Sequence, residues 1–164
     1  MMAASIHEAV RARDAEMRSS NTDISPLMHN GIIVLSRGQG RARSMLNEAE
    51  LIASLQAAFP GRLIEAFEPL DSLLKVSQRL YGAVLIIGPH GANLNNLYGA
   101  RVGTAVIEIA FNGGMFFPSE YFCLARNLGL RYWMSPSTRG DYGSPMQVDV
   151  DDVIAIAKLA LAQS

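Results

Sequence analysis

Five short apolar runs, IIVLS (32–36), RLIEAF (62–67), AVLII (83–87), TAVIEIA (104–110) and LRYWM (130–134), alternate with segments whose apolar residues keep helical spacing. Strands separated by helix-length stretches cannot pair as tight hairpins; they are accommodated by a parallel sheet covered on both faces. The first intervening segment, NEAELIASLQAAF (47–59), repeats Leu51, Ile52, Leu55, Ala58 and Phe59 at helical period and stops at Pro60-Gly61. DSLLKVSQRLY (71–81) sets Leu73, Val76 and Leu80 on one face, with Asp71 or Ser72 as cap. SEYFCLARNLG (119–129) ends in glycine, and VDDVIAIAKLALAQ (150–163) supplies the last helix.

This is the pattern of an α/β fold, a Rossmann-like parallel sheet with helices on both faces. At 164 residues the chain falls within the roughly 100–200 of one domain, and the alternation confines that domain to 31–164. Residues 1–30 read as an N-terminal appendage or linker, with a short polar helix over 5–18 and a loop, SSNTDISPLMHNG, closing in an Asn-Gly turn signal. Apolar residues at 49% and charged ones at 18% belong to a chain that folds rather than one that stays disordered. A net charge of -1 supplies no field for a nucleic acid backbone or an anionic membrane, so nucleic acid is not an expected partner. The single cysteine, Cys123, excludes an internal disulfide and a cysteine-rich metal site, and its place beside Phe122 and Leu124 predicts a packed thiol. No signal-like or membrane-length apolar stretch occurs in the sequence, which places the chain, as written, in the cytoplasm.

In doubly wound sheets ligands bind beyond the carboxyl ends of the strands, so the loops after Ser36, Ile87 and Ala110 are the ones to search. SRGQGRAR (36–43) carries Arg37, Arg41 and Arg43 with Gly38 and Gly40 between them. Arginine forks suit phosphate oxygens and glycines allow close backbone approach, although such a loop also fits a solvated face. It lacks the third glycine of a dinucleotide fingerprint and the lysine of a P-loop. His90, one of three histidines, stands at a strand exit between Pro89 and Gly91, open to three readings: a general base, a hydrogen bonder to phosphate or sugar, and a loop histidine bonded to backbone. Neither His7 nor His29 lies in a partner motif, so no metal site is expected. Glu108 interrupts an apolar strand; a carboxylate there needs partners, for which ribose hydroxyls are suited, unless the strand end is exposed. Tyr132 and Trp133 belong to the core or its rim.

In this order and spacing, SRGQGRARSMLNEAEL, LIIGPHGANLNNLY, GTAVIEI and YFCLARNLGLRYW resemble the glycosyltransferase family 61 domain, over about residues 31–135. The resemblance implies the C-terminal, nucleotide-sugar-binding lobe of a GT-B glycosyltransferase. It also implies transfer of a sugar from a nucleotide diphosphate donor to an acceptor hydroxyl, with inversion and without an obligatory metal. Carried over position by position, Arg37 and Arg43 match two family arginines and would hold the donor diphosphate, while Asn47 and Glu48 match the NE that starts the next helix. His90, Gly91 and Ala92 match the family's HGA, where the donor's phosphates or sugar would sit, with Asn93 following in the same loop. Glu108 matches the glutamate of VIEI, a ribose ligand. The family commonly reads HGAGLTN, whereas this chain has Asn93 and Asn95 in place of the glycine and threonine, and its two arginines stand two residues further apart than in some relatives; the donor sugar therefore does not carry over. No catalytic base is implied for this chain.

The resemblance calls for no cofactor beyond a nucleotide sugar such as a UDP-sugar as donor substrate. The implied partners are that donor, a glycan or glycoprotein acceptor, and a separate acceptor-binding lobe or second subunit, because only about 30 residues precede the match. A chain that is part of a longer eukaryotic enzyme would work in the ER or Golgi lumen. Two alternatives stand beside the enzyme: a non-catalytic nucleotide-binding or interaction module derived from a truncated glycosyltransferase, and a Rossmann-like binder of another phosphorylated metabolite.

Overall fold

A computed structural model describes residues 30–69, 72–112 and 119–163, together with position 12. The elements are β1 (Gly31–Leu35), α1 (Glu48–Ala58), β2 (Ile64–Phe67), α2 (Leu73–Tyr81), β3 (Ala83–Pro89), a 3-10 helix (Ala92–Gly99), β4 (Ala105–Ala110), α3 (Glu120–Asn127), β5 (Arg131–Pro136) and α4 (Val150–Ala162). The strands form one parallel sheet in the order β2-β1-β3-β4-β5. Apart from position 12, the expected short helix over 5–18 and the loop up to residue 29 lie outside the described residues.

Central parallel strands are buried on both faces, which is why they read as unbroken apolar runs. Side chains alternate along each strand, so Ile32 and Val34 of β1 join Leu85, Ile87, Ile107 and Ile109 on one face, under Leu51 and Leu55 of α1 and Val153, Ala157 and Ala160 of α4. Ile33 and Leu35 point to the other face, with Ile86 and Val106, and meet Val76 and Leu80 of α2, Leu94 and Leu97 of the 3-10 helix, and Tyr121 and Ala125 of α3. Helices thus cover both faces, as the alternation predicts. Ser72 caps α2, its hydroxyl accepting the Lys75 N–H at 3.5 Å; Asp71, the other expected cap, lies outside the described residues. Asp149 caps α4 in the same way through the Asp152 N–H at 3.1 Å.

The chain leaves β1 toward β2 on one side, then returns to lay β3, β4 and β5 on the other. The loops after β1 and β3 therefore diverge, and a crevice opens between them at the topological switch point. β3 runs two residues past AVLII, pairing Gly88 with Glu108 and Pro89 with Ile109, so that His90 is the first residue beyond the strand.

Two local features differ from the sequence expectation. The segment after His90 is a 3-10 helix of eight residues, longer than such helices usually run. Its period of three buries Leu94, Leu97 and Ala100 and exposes Ala92, Asn95 and Tyr98. At Gly99 a Cβ would lie 2.6 Å from the Ser77 Cα, so this glycine lets the 3-10 helix pack directly on α2. Cys123, expected to be packed, is exposed. The inward stripe of α3 is Tyr121 and Ala125, four residues apart, and Cys123 falls between them on the opposite side. Among the described residues, no helix is long and apolar enough to cross a membrane.

Candidate functional site

The loop after β1 and the start of the 3-10 helix meet across the switch point. The Asn93 side-chain amide donates to the Ser36 carbonyl at 2.7 Å, and Arg37 Nη1 approaches the His90 carbonyl at 3.4 Å. The backbone after β1 is tied down from the far end of the chain. Arg43 N–H donates to Ser144 O at 2.7 Å, Met146 N–H to Ser44 O at 2.7 Å and Leu46 N–H to Met146 O at 2.8 Å. The Asn47 side chain completes this zipper: its Oδ1 accepts the Val148 N–H at 2.9 Å and its Nδ2 donates to the Val148 carbonyl at 3.1 Å. Asn47 is thus the residue before α1, as expected, but its amide joins two distant segments instead of capping the helix.

The three arginines of the loop separate. Arg41 turns outward into an exposed ion pair with Glu68 at 3.0 Å. Arg37 and Arg43 converge over Gly91: a Cβ there would overlap Arg37 Nη1 and lie 3.5 Å from Arg43 Nη1. Gly91 has φ 142 and ψ -177, a region essentially reserved for glycine, so backbone and arginine placement demand the same residue. Arg43 itself is, among the described residues, the non-glycine residue with positive φ, at 61. The Nε atoms of Arg37 and Arg43 are buried with no hydrogen-bond partner among the described residues, a condition that carries an energetic cost until a partner arrives. Burial, then the neighbouring charge of Arg43, holds the Arg37 pKa below the usual arginine value. Two guanidinium groups held together with no carboxylate paired to them among the described residues form a receptor for an anion.

Beneath this pair lies a buried polar chain. Glu108 is 0% exposed, and both of its oxygens are engaged: Oε1 with His90 Nδ1 at 2.5 Å and Oε2 with the Tyr132 hydroxyl, which donates at 2.5 Å. Both partners are protein side chains. His90 is 3% exposed, its ring wedged edge-on between Phe111 and Tyr121, each at 5.3 Å. Its other nitrogen, Nε2, stands 3.6 Å from Glu120 Oε1 in the first turn of α3. His90 thus stands between two carboxylates, Glu108 at Nδ1 and the more distant Glu120 at Nε2, and a carboxylate at Nδ1 fixes the ring's orientation. Burial and the bond to Glu108 raise the Tyr132 pKa far above the ordinary tyrosine value, so it remains a donor. Burial, then the charges of Glu108 and Glu120, raises that of Tyr121.

Sequence reasoning singled out Arg37, Arg43, His90, Gly91, Ala92, Asn93 and Glu108, and the structure brings them together at the switch point. Ala92 is exposed at the start of the 3-10 helix. Phe111, Glu120, Tyr121 and Tyr142 were missed. They follow later strands, and only the periodic order of strand and loop, which puts every carboxyl end on one side, could have nominated them. A cavity of about 220 Å³ lined by Ser36, Gly38, Ser44 and Glu48 adjoins the arginine loop. A larger one, about 390 Å³, lies at the opposite, amino end of the sheet by Arg101, Thr104 and Arg131, away from this chemistry. No three of His, Cys, Asp and Glu cluster as a metal site among the described residues.

The family described as Glycosyltransferase 61 matches residues 2–107. The match takes in Arg37, Arg43 and His90 to Asn93, stops one residue short of Glu108, and includes most of the segment read from sequence as an appendage. The chain is also 28% identical over 125 residues to the protein O-linked-mannose beta-1,4-N-acetylglucosaminyltransferase 2 of Takifugu rubripes, covering 74% of this chain and 21% of that protein. The chain thus spans about a fifth of that relative's length. With the family match extending over more than half of its residues, the chain belongs to glycosyltransferase family 61.

Proposed function

We propose that this chain is the donor-binding lobe of a glycosyltransferase, equivalent to the C-terminal lobe of a GT-B enzyme, and that its crevice binds a nucleotide diphosphate sugar. The observation that carries the reading is the convergence of Arg37 and Arg43 over Gly91, with both Nε atoms buried and unpartnered among the described residues. The donor diphosphate lies on these two guanidinium groups. As the glycosidic bond to the leaving phosphate breaks, they meet the charge developing on it, the electrostatic help supplied in other enzymes by a metal ion. Transfer proceeds with inversion onto a hydroxyl of a glycan or glycoprotein, held by an acceptor lobe or subunit outside the residues described. Glu108, itself held by Tyr132, orients His90 beside the donor. The name of the Takifugu relative makes N-acetylglucosamine the first sugar to test.

Calorimetric titration with UDP and UDP-N-acetylglucosamine tests this. Micromolar binding is expected, weakened roughly ten- to hundredfold by Arg37→Ala or Arg43→Ala, the range for losing a charge-assisted hydrogen bond. Arg41→Ala, which removes only an exposed ion pair with Glu68, should leave affinity unchanged. A folded chain that binds neither ligand would sink the proposal.

A further inference from the structure

Tyr142 lies in the segment after β5, at the same carboxyl end of the sheet as the arginine pair. It is 62% exposed, yet its ring is braced from two directions. The Arg43 guanidinium covers one face, its Cζ 4.2 Å from the ring centroid. Phe111, which also abuts His90, meets the ring edge-on at 5.7 Å with the planes 82° apart. The segment is pinned to its neighbours. Asn112 N–H donates to Gly140 O at 3.0 Å and Arg43 N–H to Ser144 O at 2.7 Å. Within it, Asp141 accepts the Gly143 N–H at 2.8 Å and the Ser144 hydroxyl accepts the Asp141 N–H at 2.9 Å. The Tyr142 hydroxyl makes no hydrogen bond among the described residues.

A tyrosine that only filled space would be covered on both faces, and one serving as a hydrogen-bonding group would have its hydroxyl paired. This ring is braced by Arg43 and Phe111 and still 62% exposed, with a cation over one face, which is the form of a stacking platform. Its neighbour is the same Arg43 whose Nη1 reaches Gly91 and Arg37. A ligand anchored by its diphosphate on the two arginines therefore has an exposed aromatic ring in contact with one of its anchors.

We infer that Tyr142 is the platform on which the nucleobase of the donor stacks, so that Arg43 serves both ends of one ligand. The inference rests on the nucleotide diphosphate reading of Arg37 and Arg43 and adds the residue that receives the base, a subsite that a lipid or a bare phosphate chain would leave empty. Stacking tolerates any base, so the platform sets a preference for nucleotides without choosing among them.

The test is titration of the wild-type, Tyr142→Leu and Tyr142→Trp chains with UDP and with inorganic pyrophosphate. The leucine variant should lose about ten- to hundredfold in affinity for UDP, the range of a lost base–aromatic stack, but less than about threefold for pyrophosphate. The tryptophan variant should retain UDP. Equal losses for both ligands would mean that Tyr142 merely props Arg43, and would overturn the inference, as would an unchanged UDP affinity in the leucine variant. If the wild type binds neither ligand, the diphosphate reading falls and takes this inference with it.

Discussion

Gly91→Ala places one methyl group where the structure has no room for it. Two costs add. The backbone at φ 142, ψ -177 is a region that side chains avoid, and holding alanine there costs about 1–3 kcal/mol. The new Cβ would also occupy the position of Arg37 Nη1, so the guanidinium must swing away from Arg43 and the anion receptor loses one of its two arms. The first cost appears as stability: for a chain of this size it corresponds to a drop in Tm of about 2–12 °C. The second appears as affinity, with UDP binding weakened by roughly ten- to hundredfold. Gly103→Ala is the control, because Gly103 also has positive φ, at 84, but faces open space at the other end of the sheet. It should lose on the order of 1 kcal/mol from backbone strain and bind UDP as the wild type does. Differential scanning calorimetry and titration on the three chains read both effects. A Gly91→Ala chain that melts within about 1 °C of the wild type and binds UDP equally well would refute the argument.

Glu108→Leu strands the His90 Nδ1 and the Tyr132 hydroxyl in the interior. Each unpaired group costs about 1–3 kcal/mol, so urea denaturation should show a loss of roughly 2–6 kcal/mol; a variant as stable as the wild type would contradict the network. Tyr132 has a folded pKa raised above its unfolded value by burial and by Glu108. Its contribution is therefore complete below about pH 10 and is lost as pH rises through the folded value. Between about pH 8 and about pH 11 the wild type should accordingly lose more stability than Tyr132→Phe, and parallel curves would reject the assignment. Asn47→Ala leaves the Val148 N–H and carbonyl without the side-chain amide. A loss of about 1–3 kcal/mol is expected in thermal melts, with weaker nucleotide binding as the Arg43 segment loosens; unchanged affinity would show that the zipper is not needed to hold Arg43.

Much of the site was legible because it follows from local rules. His90 stands out in sequence as a histidine between Pro89 and Gly91 at the end of an apolar run, and a parallel strand displays the residue after its carboxyl end to the crevice. Arg37 and Arg43 are named by the same logic. Their separation from Arg41 was not legible, since it depends on Glu68 across the β1–β2 edge. Glu108 invited a search for partners, but those partners are set 18 and 24 residues away by sheet register and loop path. In the structure both of its oxygens are engaged by buried bonds to His90 and Tyr132.

By itself the sequence determined the strands and helices, because burial on both faces makes a central strand an unbroken apolar run, and one-sided burial makes a helix periodic. It also determined which end of the sheet to search. The period of three in Leu94, Leu97 and Ala100 was present too, hidden from a reading tuned to the periods of strands and ordinary helices. Only the tertiary structure decided that β3 returns beside β1, that Asn47 pairs with Val148 across 101 positions, and that Tyr142 lies against Arg43. These depend on contacts between distant segments, which are selected by how whole faces pack and leave no periodic trace in the chain.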